Sequence, residues 1–226
     1  MWWRAGKFFP PATTRMILDK TCVIMFNRMF KRICKITFIT HGATVHTMDG
    51  IINDALKSPK LNEFGEEEIE KVCEYLEKRE VAYDNIYTSP NACCTQSAIT
   101  IAKLFKQKPI TIDLKNRNHG EWQGSLYSDL FREHGKSILS ETPENGESLK
   151  DFNKRVLAVI NKLIKENKGN RIIVVTTPEV VQAALANTLS LTPENQHKIL
   201  VKTGSLTQIS YFDGWSSVIY SDYTPL

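Results

Sequence analysis

The chain is poor in the features that announce a specialised class. Its five cysteines, Cys22, Cys34, Cys73, Cys93 and Cys94, are an odd number without a Cys-x-x-Cys pair. That excludes a disulfide framework and points to a reducing compartment, so a cytoplasmic protein is expected. No apolar run approaches the roughly 20 residues of a membrane-spanning helix. Charge of one sign is also scarce: the net charge is +4 over 226 residues. Much of that excess lies at the start, where Arg4, Lys7, Arg15, Lys20, Arg28, Lys31 and Arg32 face only Asp19. The remainder is close to neutral and lacks the basic footprint of a nucleic-acid binder. There is no internal repeat, low-complexity tract or interdomain linker. With 42% hydrophobic and 24% charged residues, the chain suits one soluble α/β domain with a full core.

Residues 1–32 stand apart. Trp2-Trp3-Arg4 and Phe8-Phe9-Pro10-Pro11 follow no period, and Asp19 and Lys20 interrupt the apolar residues between Met16 and Met29. The expectation is a basic extension without regular structure, with Met25 or Met29 as natural starts before the first strand. A basic, aromatic targeting or membrane-surface segment is the competing reading.

From residue 33 to 226 strands and helices alternate. Lys35–Thr40 reads as a buried strand. Leu61–Lys78 reads as a helix with Ile69, Val72, Cys73 and Leu76 on one face. Asn85–Thr88 is a short strand, after which Ser89 and Pro90 are expected as N-cap and first helical residue. Ile110–Leu114 is a strand. Leu149–Ile164 is a strongly periodic helix, and Arg171–Thr176 an apolar strand. Thr177-Pro178-Glu179 supplies a cap, a first-position proline and a first-turn acid for the next helix. Leu206–Phe212 and Ser216–Tyr220 close the chain around Asp213-Gly214. The alternation predicts a three-layer α/β/α sandwich with a mainly parallel sheet. Segment 115–147 reads as a long irregular insertion able to cap a site.

In such a sheet ligands bind beyond the carboxyl ends of the strands. Three strand ends therefore draw attention: Thr40-His41-Gly42, Thr88-Ser89-Pro90 and Thr176-Thr177-Pro178.

The order of several short pieces resembles the histidine phosphatase superfamily in its phosphoglycerate mutase-like branch. They are Phe38-Ile39-Thr40-His41-Gly42-Ala43-Thr44; Leu61 with Gly65; and Tyr87-Thr88-Ser89-Pro90 followed by Thr95-Gln96-Ser97-Ala98. Further along come Gly120-Glu121-Trp122-Gln123-Gly124; Asn145-Gly146-Glu147-Ser148-Leu149 with Arg155; Ile173-Val174-Val175-Thr176; and Thr203-Gly204-Ser205-Leu206-Thr207. No single piece is specific, but together and in order they cover about Ile33 to the C-terminus. The resemblance implies a mechanism. A histidine after the first strand, here His41, attacks phosphorus. Two arginines and a second histidine hold the phosphoryl oxygens, and an acid protonates the leaving group.

The sequence departs from that pattern where the chemistry would be done. Thr40 stands where the resemblance puts the first arginine, Cys93 at the second, Asn116 at the acid and Thr177 at the second histidine. Pro178 and Glu179 replace the glycines after it. His41, Thr40, Cys93, Asn116 and Thr177 are expected to cluster beyond the sheet's carboxyl edge, with Gly42, Thr44, Ser89, Arg117 and Glu179 as binding residues. The Glu179 carboxylate would satisfy the helix dipole internally and repel phosphate. A catalytically impaired protein that binds an unidentified small molecule or protein is expected, with no cofactor, no nucleic acid and no membrane span. The alternative is an active phosphomonoesterase that uses His41 as nucleophile in an altered pocket.

Other readings stand beside these. His41 suits a packed structural histidine as well as a nucleophile. Cys93 and Cys94 suit small core hydrophobes, or Cys93 a thiol activated near a helix N-terminus beside His41. His41, Cys93 and His119 or His46 form a conceivable zinc set without a local metal spacing. Trp122 reads as an anchor of the cap, and His134 and His197 as solvated.

Overall fold

The computed structural model describes residues 31–53 and 59–225. The expected extension, up to residue 30, lies outside the described residues. Six strands, β1 (Arg32–Thr40), β2 (Asn85–Thr88), β3 (Ile110–Thr111), β4 (Arg171–Thr176), β5 (Leu206–Phe212) and β6 (Ser216–Tyr223), form one sheet in the order β3-β2-β4-β1-β5-β6. Four strands from β3 to β1 run parallel, and β5 and β6 add antiparallel at one edge. β1 and β4 are central, and strands buried on both faces are accordingly continuous in apolar residues.

Helices cover both faces, which gives the expected three layers. In chain order they are α1 (Val45–Asp49), α2 (Glu63–Lys78), α3 (Ala92–Leu104), α4 (Tyr127–His134), α5 (Leu149–Glu166) and α6 (Pro178–Thr188). Alternate residues of the central strands feed two cores. Ile36, Phe38, Ile172 and Val174 pack with Phe152, Val156 and Ile160 of α5 and Val180 and Ala184 of α6. Ile39, Ile173 and Val175 pack with Ile69, Val72 and Leu76 of α2 and Ala98 and Ile101 of α3.

Several boundaries differ from the sequence reading, each for a local reason. β1 starts at Arg32, inside the segment read as extension, because Arg32 and Cys34 continue the pairing with Phe212 and Tyr211. α2 starts at Glu63, since the Asn62 side chain accepts from Gly65 N at 2.9 Å and takes the N-cap. Ser89 does not cap α3; its hydroxyl bonds Thr176 Oγ1 at 2.7 Å across the sheet, and Asn91 is the N-cap. β3 ends at Thr111, and Leu114 leaves the edge to bury itself in the core. Segment 115–147 is not irregular throughout. It holds α4 and the 3-10 turns Gly120–Trp122 and Gly135–Leu139, around a small core of Trp122, Leu130 and Ile138.

The loop after β1 is seated by a backbone contact. A Cβ on Gly42 would lie 2.1 Å from Gly65 O, and one on Gly65 would lie 2.1 Å from Ala43 O. Neither neighbour is a side chain that can rotate away. We expect Gly65→Ala to destabilise the protein by about 2 kcal/mol or more, the cost of forcing atoms into a packed interior. Urea unfolding midpoints of the variant and the wild type will measure it.

Candidate functional site

β1 and β4 lie in parallel register, Thr40 opposite Thr176. The main-chain N–H of His41 donates to Thr176 O at 3.0 Å, and Gly204 N donates to His41 O at 3.0 Å. His41 and Thr177 are thereby delivered side by side beyond the sheet's carboxyl edge. A cavity of about 420 Å³ opens there, lined by His41, Asn116, Arg117, His119, Thr177 and Glu179 among others. Its apolar walls include Ile52, Trp122, Tyr127 and Ile138. One wall is bound to the cap by a short ladder: Ile51 pairs with Leu126, Tyr127 N donates to Gly50 O, Ile52 N to Ser125 O and Gly124 N to Ile52 O.

Five of the residues singled out from sequence thus share this cavity; the other five stand behind or beside it. Thr40, the last residue of β1, donates from Oγ1 to Lys202 O at 2.6 Å and is tied to the loop before β5. Gly42 lies against Gly65, with its N–H on Ser97 Oγ at 3.3 Å. Thr44 caps α1 in a reciprocal box with Thr47, and it is Thr47 that lines the cavity. Ser89 links β2 to β4. Cys93 is buried in the first turn of α3 and bonds the His41 ring from outside the cavity lining.

His41 is 1% exposed. Its Nδ1 lies 2.7 Å from the Gly42 carbonyl, which only accepts, so Nδ1 carries a proton. Burial is the largest influence on the ring and opposes its charge. The Cys93 side chain, the Gly42 carbonyl and the Glu68 carboxylate together outweigh it and raise the pKa above its ordinary 6.5. Cys94 lies deeper still. Burial, and then its contact with Cys93, push its thiol pKa well up, which fits an inert packing residue.

The charged part of the cavity is a closed circuit. Arg117 Nε donates to Glu147 O and its Nη2 to Glu141 O, both at 2.8 Å. Glu179 Oε1 sits 3.1 Å from His119 Nε2, and the carboxylate also accepts the main-chain N–H of Arg117. Burial pushes the Glu179 carboxyl up, yet His119 and Arg117 outweigh it and hold the group below its ordinary value near 4.5. Three wall residues keep a buried polar atom without a hydrogen-bond partner among the described residues: Asn116 Oδ1, Thr177 Oγ1 and His119 Nδ1. Thr177 occupies the N-cap of α6 but makes no side-chain cap, contrary to the sequence expectation. No group of three or more His, Cys, Asp or Glu among the described residues is placed to hold a metal. His46 turns to Asn53 Oδ1 at 2.8 Å.

The sequence reading missed Gln182 and Gln196, which also line the cavity, and His197, read as solvated, is exposed at its edge. Gln182 was accessible in principle, three positions after Glu179 on the same helix face. Gln196 and His197 come from a 3-10 turn with no apolar period to place it.

The model of the histidine phosphatase superfamily, branch 1, matches residues 36–221. The chain belongs to this superfamily. A phosphoglycerate mutase-like protein of Arabidopsis thaliana is 27% identical over 202 residues, 85% of this chain and 86% of its own. A broad-specificity phosphatase of Saccharomyces cerevisiae is 24% identical over 185 residues, 79% of this chain and 80% of its own. Among solved structures, the phosphoserine phosphatase of Entamoeba histolytica in complex with 3-phosphoglyceric acid superposes with a TM-score of 0.75. It is 21% identical, with 84% of this chain and 98% of that one covered, a likeness of fold.

Two measurements follow from the site's electrostatics. Removing the thiol in Cys93→Ala leaves burial less opposed, so the His41 pKa should fall; histidine ring proton shifts followed against pH will show the direction. The Glu179 carboxyl is depressed on folding, so its contribution to stability is complete above about pH 4.5 and disappears as pH falls through the lower folded value. Glu179→Gln should therefore flatten the acid limb of a plot of Tm against pH, and leave the limb above neutrality unchanged.

Proposed function

We propose that this histidine phosphatase member binds a small molecule in the cavity and does not transfer phosphoryl groups at a useful rate. The observation that carries the reading is the state of Arg117. Among the described residues lining the cavity it is the one lysine or arginine, and two main-chain carbonyls and the facing Glu179 already engage it. The positions that the resemblance assigns to two arginines and a second histidine hold Thr40, Cys93 and Thr177. Each charge-assisted contact is worth on the order of 1.5–3 kcal/mol. Losing three removes roughly 5–8 kcal/mol of transition-state stabilisation, about four to six orders of magnitude in rate. The protein acts in a reducing compartment, the cytoplasm, a placement supported by Cys34, Cys73, Cys93 and Cys94 standing outside any disulfide.

A second reading draws on one observation, that His41 keeps a protonated Nδ1 on a carbonyl and lines the cavity. In it the protein is a phosphomonoesterase with His41 as the accepting nucleophile. A steady-state assay on p-nitrophenyl phosphate separates the two. The binding reading expects turnover below about 0.001 per second, unchanged in His41→Ala. Turnover of about 1 per second or faster, abolished in His41→Ala, establishes the second.

A further inference from the structure

We propose that Glu179 is a resident anion: its carboxylate fills the seat an incoming oxyanion would take, so the cavity refuses phosphate and admits neutral ligands that bring hydrogen-bond donors. The inference rests on the reading of the cavity as a binding site and names the ligand class of that site.

The seat is defined by what holds the carboxylate. Oε1 lies 3.1 Å from His119 Nε2, and the main-chain N–H of Arg117 donates to the same group. Glu179 stands in the first turn of the 11-residue α6, where the helix dipole favours negative charge and Thr177 offers no side-chain cap. The Arg117 guanidinium acts on the carboxylate electrostatically, while its own N–H groups donate to Glu147 O and Glu141 O. An N–H donor, an imidazole, a guanidinium and an open helix start are the components of an oxyanion site. Here the anion is part of the chain. It is present at the concentration of an intramolecular group, and a free anion has to displace it.

The rest of the wall sets the ligand. Glu179 offsets the charge of Arg117, which weakens the pull of the cavity on an incoming anion. The unpartnered Oδ1 of Asn116 can only accept, as can the carboxylate, and Thr177 Oγ1 is buried without a partner beside them. Both Asn116 and Thr177 are more than nine-tenths buried. A ligand N–H or O–H satisfies Asn116 Oδ1, which an oxyanion leaves unmet, while the Thr177 hydroxyl can donate or accept and suits either. Trp122, Tyr127 and Ile138 offer a flat apolar surface for its body. The volume, about 420 Å³, suits a small molecule.

The test is calorimetric titration of the full chain with inorganic phosphate and with benzamide and benzoate, a neutral and an anionic probe of one shape. Wild-type protein should bind benzamide more tightly than benzoate, and phosphate not measurably at about 10 mM. Glu179→Ala should improve benzoate and phosphate affinity by at least about tenfold and should not strengthen benzamide binding. Glu179→Gln, which keeps the volume, should move the same way and covers failure of the alanine variant to fold. Glu121→Gln removes the same charge from the exposed surface of the cap and should leave all three affinities alone. Folded Glu179 variants with wild-type anion affinity overturn the proposal, as does an equal gain in Glu121→Gln. Benzoate preferred over benzamide by the wild type overturns the ligand class, and so does benzamide without detectable binding at about 10 mM. Wild-type protein that hydrolyses aryl phosphates overturns the parent reading instead, and the titrations distinguish the two failures.

Discussion

The parallel pairing of β1 with β4 is the constraint on which the site depends. It sets Thr40 against Thr176 in register, and the bond from His41 N to Thr176 O carries that register one residue past the sheet. Everything that meets in the cavity is hung from that point: the His41 loop on one side, α6 with Glu179 on the other, and the 115–147 segment across the top. Because both strands are central and buried on both faces, the register is held by two apolar cores. A slip by one residue would exchange the faces of every core side chain. The position of His41 relative to Thr177 is therefore among the best-determined distances in the molecule.

Charge tells the opposite story from geometry. A cavity beyond the sheet's carboxyl edge is present, and the charges in it are offset by the protein's own groups. Arg117 is held by carbonyls of the cap, and Glu179 by His119 and a main-chain amide. A cluster satisfied in this way is stable without a ligand. A site that must gather charge around a phosphate works in the reverse manner, holding donors open at a cost to folding.

Much of the fold was legible because it is written locally. Phe152, Val156, Ile160 and Leu163 repeat at helical spacing and do pack together on one face. The apolar run Ile172–Val175 is the central strand its composition implied. The two-residue turn at Asp213-Gly214 does join antiparallel strands. Ser89 was misread because its partner Thr176 lies 87 positions away, and a hydroxyl that reaches across a sheet looks in sequence like a helix cap. The convergence of His41, Thr177 and Glu179 on one cavity followed from strand ends sharing an edge, whereas Asn116 and Arg117 were singled out by the resemblance alone. The pairing of His119 with Glu179 did not, since nothing local links them, and Arg117 looked available because carbonyl partners leave no mark in composition. In α4 only Leu130 is buried, too little for a period to show, so the cap read as irregular.

The ladder between the Gly50–Ile52 segment and the cap has a consequence in time. Its main-chain bonds share neighbouring residues, so they strengthen and fail together. The wall that carries Tyr127 and Ile52 is therefore tied to the cap as one unit. Collective motions of that kind belong to microseconds and longer, while single side chains turn in nanoseconds. Any displacement of this wall would have to break these bonds together, which sets the cap apart from the single side chains that line the cavity.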